Sequence, residues 1–123
     1  MRYDVLIIGA GASGFACALT LGSANDKFDW AKDKKYLILD DNKSDLNVGK
    51  YFNVAGVESG INGVDLLLKM KKQLEIYKDV ELKDEKATKI ENLGEYFKVT
   101  TENSTYEASI IVLATGLHKF DIE

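Results

Sequence analysis

The stretch that decides the fold is MRYDVLIIGAGASG, residues Met1–Gly14. Its segment Tyr3–Ile8 is a short apolar run rich in branched side chains, which predicts a strand buried on both faces. Three glycines in G-x-G-x-x-G spacing follow, and the apolar segment Phe15–Leu21 after them predicts a buried helix. A strand, a glycine turn and a helix in this order are typical of a dinucleotide-binding fold.

Each of the three glycines is expected to have its own physical task. Gly9 permits the tight turn, Gly11 lets the backbone approach a pyrophosphate, and Gly14 lets the helix pack closely on the strand. A phosphate would lie at the helix N-terminus, where free N–H groups and the positive end of the helix dipole face an anion. The alternative interpretation is a glycine-rich turn that binds no ligand.

Length and composition favour one soluble domain, residues 1–123, with 46% hydrophobic residues. No apolar run approaches the ~20 residues of a membrane span, and no basic segment precedes a cleavable apolar stretch. We therefore expect a cytoplasmic protein with no membrane partner. The formal net charge of −4 comes from interspersed acids and bases, which argues against nucleic acid as a partner.

The chain has one cysteine and one histidine. Cys17 cannot form an internal disulfide or a C-x-x-C pair, and we expect it to be a small buried side chain of the first helix. His118 cannot form a multi-histidine metal site. It is expected to be an exposed tail residue, and the alternative is that it approaches a bound cofactor. The sequence therefore predicts no metal site and no catalytic residue of its own.

A second buried strand is predicted at Tyr36–Leu39, after a polar surface connection at Gly22–Lys35. Phe28 and Trp30 in that connection are expected to cap the domain edge or to contact a partner. Asp40 stands at the C-terminal end of the second strand, where an acid accepts hydrogen bonds from an adenosine ribose and would repel the 2′-phosphate of NADP. Asp41 is the alternative ribose ligand.

A long loop is predicted at Lys43–Gly60, and loops of this length in compact domains tend to be functional. Asn62 is then predicted to cap a second helix, with Asp65 completing an approximate capping box. The side chains expected on the buried face of that helix are Val64, Leu67, Leu68, Leu74 and Tyr77.

In the remaining segments apolar and polar residues alternate between short turns, which predicts strands. A third strand is expected at Val80–Leu82, an antiparallel meander at Ala87–Glu91, Tyr96–Thr101 and Thr105–Ala108, and a buried strand at Ile110–Leu113. The chain is therefore predicted to be an α/β protein with a Rossmann-like, dinucleotide-binding fold. Its parallel central sheet has Val5–Ile8 between Tyr36–Leu39 and Ile110–Leu113, and an antiparallel β-meander accompanies it.

The sequence resembles the flavoprotein pyridine nucleotide–disulfide oxidoreductases, most closely their thioredoxin reductase-like branch. The segments that carry the resemblance are DVLIIGAGASG, LILD, FNVAG, INGVDLL, the meander and IIVLATG. It implies a Rossmann-like, three-layer FAD/NAD-binding fold, with FAD as the cofactor and NAD as the alternative. The implied ligands are Gly9, Gly11, Ala12 and Gly14 for the pyrophosphate, Asp40 for the ribose, Asn53 beside the flavin, Ala87 at the adenine through its backbone, and Ala114, Thr115 and Gly116 in the segment that crosses next to the cofactor.

The sequence also departs from that family. Its members continue past A-T-G into an NADPH domain with a C-x-x-C pair and return through a G-D segment that holds the flavin, and this sequence contains none of these. We therefore expect FAD binding as part of a flavin oxidoreductase whose redox chemistry needs a second copy, as a homodimer, or a complementing chain. A non-catalytic dinucleotide-binding or interaction module and a small NAD-binding protein are the alternatives.

Overall fold

The computed structural model describes residues 1–116 and 121–123, so the prediction for His118 lies outside the described residues. Two helices and eight strands are present in that part of the chain. They are β1 (Arg2–Ile8), α1 (Ala12–Lys27), β2 (Tyr36–Leu39), β3 (Lys50–Tyr51), β4 (Ile61–Asn62), α2 (Gly63–Leu74), β5 (Val80–Lys83), β6 (Ala87–Asn92), β7 (Phe97–Thr101) and β8 (Thr105–Leu113).

Six of the strands form one sheet in the order β5-β2-β1-β8-β7-β6. Strand β1 lies at the centre of its parallel part, with Val5 opposite Tyr36 of β2 on one side and opposite Ile110 of β8 on the other. Strands β8, β7 and β6 pair antiparallel as the meander. The predicted topology is therefore confirmed, with one difference: Thr105–Ala108 and Ile110–Leu113 are a single strand that serves both parts of the sheet.

Apolar side chains on the two faces of the parallel strands form two core clusters. The cluster on the helix side includes Val5, Ile7, Phe15, Ala18, Tyr36, Ile38 and Leu74. The cluster on the meander side includes Leu6, Ile8, Leu37, Leu39, Ala87, Val99 and Ala108. Because β1 and β2 are covered on both faces, the predicted three-layer α/β class is confirmed.

Helix α1 is longer than the sequence pattern predicts, because the polar residues Gly22–Lys27 continue it. Tertiary contacts explain the extension. A Cβ atom on Gly22 would lie 2.9 Å from Cβ of Tyr77, so the two chain segments touch here. The buried side chain of Asn25 donates to the carbonyl oxygen of Lys34 at 2.8 Å and accepts the hydroxyl of Tyr36 at 2.8 Å.

Three further side chains near α1 differ from expectation. Cys17 is partly buried against the helix-side cluster, and burial raises the pKa of its thiol. Phe28 and Trp30 stack on each other with ring centroids 5.7 Å apart and are both more than half exposed. They therefore do not cover the domain edge.

The segment predicted as a loop, Lys43–Gly60, contains a 3-10 turn at Asp45–Asn47 and the strand β3, which pairs with β4. The predicted cap of α2 is confirmed, since Oδ1 of Asn62 accepts the N–H of Asp65 at 2.9 Å. The predicted buried face of α2 is wrong in part. Val64 and Leu68 are about half exposed, whereas Leu66 is buried.

The rotation of α2 follows from the backbone contact at its start. A Cβ atom on Gly63 would lie 1.3 Å from the carbonyl oxygen of Leu46, so the helix begins directly against the 3-10 turn. This contact fixes which side of α2 faces the domain. The hydrophobic periodicity of the helix does not reveal such a contact with a distant segment.

The second half of β8 is less buried than predicted. Ile110 is 55% exposed and Leu113 is 53% exposed. Strand β7 pairs with β8 only as far as Ala108, whereas β1 pairs with it as far as Leu113. Among the described residues, the segment Ile110–Leu113 therefore pairs on one edge only. The expectation that it is a buried core strand is wrong for Ile110 and Leu113, whereas Ile111 and Val112 are partly buried against the two core clusters.

Candidate functional site

A cavity of about 310 Å³ lies at the C-terminal ends of β1, β2 and β8. Three backbone hydrogen bonds align these ends with their neighbours: Gly9 N–H to Leu39 O at 2.9 Å, Ala114 N–H to Ile8 O at 2.8 Å, and Asp40 N–H to Lys83 O at 3.0 Å. Ligands bind at this edge in open parallel sheets. The cavity is lined by Ile8–Ser13, Leu39–Asp41, Lys43–Leu46, Glu85–Ala87, Ala114–Gly116, Asp121 and Ile122.

The glycine turn supplies one wall of the cavity. Gly9 has φ +108°, a backbone conformation that glycine adopts readily, and a Cβ atom there would lie 2.1 Å from the carbonyl oxygen of Ala114. Gly11 precedes the first residue of α1, and no side chain caps the helix there in the described chain. The N–H groups of the first turn therefore face the cavity without a side-chain acceptor, as an anion site at a helix N-terminus requires.

Gly11 and Gly14 differ in what surrounds them. A Cβ atom on Gly11 would meet Oγ of Ser44 at 3.0 Å, which is the end of a short side chain. A Cβ atom on Gly14 would lie 1.8 Å from the carbonyl oxygen of Gly9, so Gly14 sits behind the turn and does not line the cavity. This position fits the task of close helix–strand packing.

Asp40 lies at the edge of the cavity and is partly buried. Its Oδ1 accepts the N–H of Asn42 at 2.9 Å, which orients the carboxylate. Burial raises the pKa of Asp40, and the nearby carboxylates of Asp41 and Asp84 add to that rise, whereas the Asn42 hydrogen bond opposes it. Asp41 also lines the cavity but is exposed.

Another part of the cavity wall comes from the connection between β5 and β6. Glu85 there accepts hydrogen bonds from the hydroxyls of Thr101 at 2.8 Å and Tyr106 at 2.9 Å. These bonds attach the connection to the meander. Ala87, which is expected at the adenine, directly follows this connection. It is buried and also lines the cavity.

The remaining predicted site residues divide into two groups. Ala12, Ala114, Thr115 and Gly116 line the cavity together with Gly9 and Gly11. Asn53 is exposed and does not line it. The structure thus brings together all of the predicted set except Gly14 and Asn53.

Sequence reasoning did not single out Ser44, Glu85 or Lys86, which also line the cavity. Ser44 lies in the loop that was predicted to be functional. Its Oγ accepts the N–H of Leu46 at 3.2 Å and so starts the 3-10 turn. Glu85 and Lys86 follow the C-terminal end of a parallel strand, and that position is the signal that would have found them.

Comparison with known proteins gives a consistent result. The sequence profile of the family described as "Pyridine nucleotide-disulphide oxidoreductase" matches residues 3–123. The chain belongs to this family. The resemblance to its thioredoxin reductase-like branch is confirmed by individual relatives.

Among the curated relatives, the thioredoxin reductase of Treponema pallidum (strain Nichols) is 30% identical over 114 residues, which cover 93% of this chain and 35% of the relative. A thioredoxin reductase structure from Gloeobacter violaceus matches with a TM-score of 0.82 at 26% identity, over 97% of this chain and 38% of that one. The structure of thioredoxin reductase from Streptococcus pyogenes MGAS5005 matches with a TM-score of 0.78 at 33% identity, over 94% of this chain and 35% of that one.

This chain therefore spans only 35–38% of the length of these relatives. Neither helix of the described residues has the length and apolar character needed to cross a membrane. Within residues 1–116 and 121–123, no group of three or more His, Cys, Asp or Glu side chains is arranged to hold a metal ion.

Proposed function

We propose that this chain binds the adenosine and pyrophosphate part of FAD, as one portion of a thioredoxin reductase-like flavin oxidoreductase. The observation that carries the proposal is the convergence of the uncapped α1 N-terminus, Asp40 and Ala114–Gly116 on one cavity. Its volume of about 310 Å³ is near the lower end of ligand pockets, ~300–1,000 Å³. A cavity of this size suits one half of a dinucleotide better than the whole.

The pyrophosphate is assigned to the glycine turn. Backbone N–H groups at Gly11, Ala12 and Ser13 would hold it, since the first turn of α1 contains no acidic residue to repel an anion. Two of the acids that line the cavity have partners of their own. Glu85 is engaged by Thr101 and Tyr106, and Asp121 by Lys86.

The adenosine ribose is assigned to Asp40. A carboxylate accepts hydrogen bonds from both hydroxyls of a ribose, and the Asn42 N–H holds this one in a fixed orientation. Because burial already raises the pKa of Asp40, hydrogen bonds from a ligand would stabilise a charge that is partly desolvated in the free protein.

The flavin end is assigned to the outer part of the site. FAD, when bound, supplies the isoalloxazine ring that takes up and releases electrons. Ala114–Gly116 would pass beside the cofactor, and exposed Asn53 would be available to the flavin. With so few groups at this end, we expect the ring to be poorly held by this chain alone.

Redox turnover is assigned to a complex of this chain with a second polypeptide. The chain has a single cysteine and so has no dithiol pair of its own, and it spans 35–38% of the relatives' length. The open edge of β8 offers the contact surface: Ile110 and Leu113 are more than half exposed beside a strand edge that is unpaired in the described chain. We propose that a second copy or a complementing polypeptide packs there.

Titration of the purified chain with FAD, ADP and NAD tests this function. We expect ADP and FAD to compete for one site, with weak FAD affinity in the monomer and higher affinity in an associated form. Binding of NAD without FAD would instead support a small NAD-binding protein. Failure to bind any of the three would leave a non-catalytic interaction module as the better account.

A further inference from the structure

The described C-terminal residues, Asp121–Glu123, fold back along the outer strand of the sheet. The N–H of Glu123 donates to Thr88 O at 3.0 Å, and the N–H of Ile90 donates to Glu123 O at 2.6 Å. Bonds to alternate residues of β6 are those of a short strand added to its free edge. We call Asp121–Glu123 the terminal strap.

The terminal strap reaches the same cavity as the glycine turn. Asp121 and Ile122 both line it. Ile122 is partly buried against the meander-side cluster, which contains Ile8, Leu39 and Ala87. The cavity thus has a wall of backbone amides at α1 and an aliphatic wall made in part by Ile122.

One ion pair fastens the strap at the cavity. Nζ of Lys86 lies 2.6 Å from Oδ2 of Asp121. The proximity raises the pKa of Lys86 and lowers that of Asp121, so both groups are charged at neutral pH. Lys86 is next to Ala87 in the chain, so the pair joins the strap to the connection between β5 and β6, which also lines the cavity.

We infer that the terminal strap is part of the ligand site, with Ile122 as the surface on which the base of the dinucleotide packs and Lys86–Asp121 as the pair that positions it. The inference rests on the proposed function. In a dinucleotide the base follows the ribose, and Asp40 N–H is bonded to Lys83 O at 3.0 Å, at the start of the segment that leads to Ala87. The base would therefore lie in the cavity against Ala87 and Ile122, which both line it and whose aliphatic side chains suit a flat ring.

The inference predicts a selective loss of affinity. Truncating Ile122 should weaken ADP and FAD by about tenfold, the scale of a few lost buried methylene contacts. Inorganic pyrophosphate uses the glycine turn but has no base, so its affinity should change by less than about twofold in the same variant. Asp121→Asn should weaken ADP by a smaller factor, and Asp121→Glu, which keeps the charge, should restore most of the loss.

The experiment measures dissociation constants for ADP, FAD and inorganic pyrophosphate by calorimetry on the full chain, with melting temperatures of each variant. Ile76→Ala and Asp26→Asn make the same chemical changes at exposed positions outside the cavity and should leave ADP affinity unchanged. Asp121 is exposed, so its variants keep the test available even where Ile122→Ala lowers stability.

Two results would overturn the inference and leave the proposed function standing. One is unchanged ADP affinity in Ile122→Ala, and the other is an equal loss of affinity for ADP and pyrophosphate, which would indicate general damage to the site. A loss in Asp121→Asn that Asp121→Glu does not restore would overturn the role of the ion pair. Wild-type protein that binds neither ADP nor FAD would overturn the proposed function, and the inference with it.

Discussion

Gly9 lies directly against Ala114: a Cβ atom on residue 9 would be 2.1 Å from the Ala114 carbonyl oxygen. The Ala114 N–H donates to Ile8 O at 2.8 Å, so the contact is made by backbone on both sides. It joins the first turn of the chain to the end of β8 and places both at one cavity. A side chain at residue 9 would therefore damage the fold, whereas one at Gly11 would chiefly damage the ligand site.

The first prediction uses this difference. Gly11→Val should abolish dinucleotide binding and leave a folded protein, because the backbone at Gly11 is extended and its added Cβ meets only the Ser44 side chain at 3.0 Å. Calorimetry with ADP and circular dichroism measure the two properties. Gly9→Ala is the contrasting variant and should unfold or melt early. Equal ADP affinity in wild type and Gly11→Val would show that the turn has only a structural role.

The second prediction concerns the ribose ligand. Asp40→Ala should weaken ADP binding by about 1–3 kcal/mol, the scale of hydrogen bonds lost to a charged group, with little effect on phosphate or sulfate. Asp41→Ala is the matched control, since Asp41 lines the same cavity but is exposed. If Asp41→Ala were the damaging change, the ribose assignment would move to Asp41.

The third prediction concerns pH. Because burial raises the pKa of Asp40 in the folded state, the stability that it contributes is present at low pH and is lost as pH rises through that value. Asp40→Asn removes this loss and keeps the acceptor for the Asn42 N–H. The variant should therefore melt at a higher temperature than wild type at pH 7, and the difference should shrink below pH ~3.9, the ordinary value for Asp. A difference that is independent of pH would contradict this account.

The fourth prediction concerns the contact between α2 and the loop that lines the cavity. Gly63→Ala would place a Cβ atom 1.3 Å from Leu46 O, so either the helix or the 3-10 turn must move. We expect a loss of about 2–3 kcal/mol in the free energy of unfolding, the upper range for a single substitution. Chemical denaturation measures it. Gly11→Ala is the control and should cost much less.

The fifth prediction concerns the open edge of β8. Ile110→Lys should weaken self-association or binding of a complementing chain by about tenfold or more, because an interface would have to bury an unpaired charge. Light scattering over a concentration series measures self-association. Ile76→Lys is the matched control at another exposed isoleucine. A wild-type chain that stays monomeric and holds stoichiometric FAD would contradict the proposed assembly.

Local pattern alone was sufficient for much of the fold. Apolar runs of branched residues identified β1 and β2, and alternation with short turns identified the meander. The glycine spacing located the turn and the start of α1, and the position of Asp40 at a strand end placed it near that turn. These features depend on neighbours in the sequence, which is why the sequence reveals them.

Only the tertiary structure decided the features that depend on contacts between distant segments. The backbone contact of Gly63 with Leu46 turns α2 so that Leu66 rather than Val64 is buried, and the bonds of Asn25 hold the polar end of α1 helical. Ile110–Leu113 is as apolar as β1, yet Ile110 and Leu113 are more than half exposed, because burial depends on which strand or layer covers a segment. Apolar side chains make the burial of a strand favourable, but the elements that pack beside the strand decide whether they are buried.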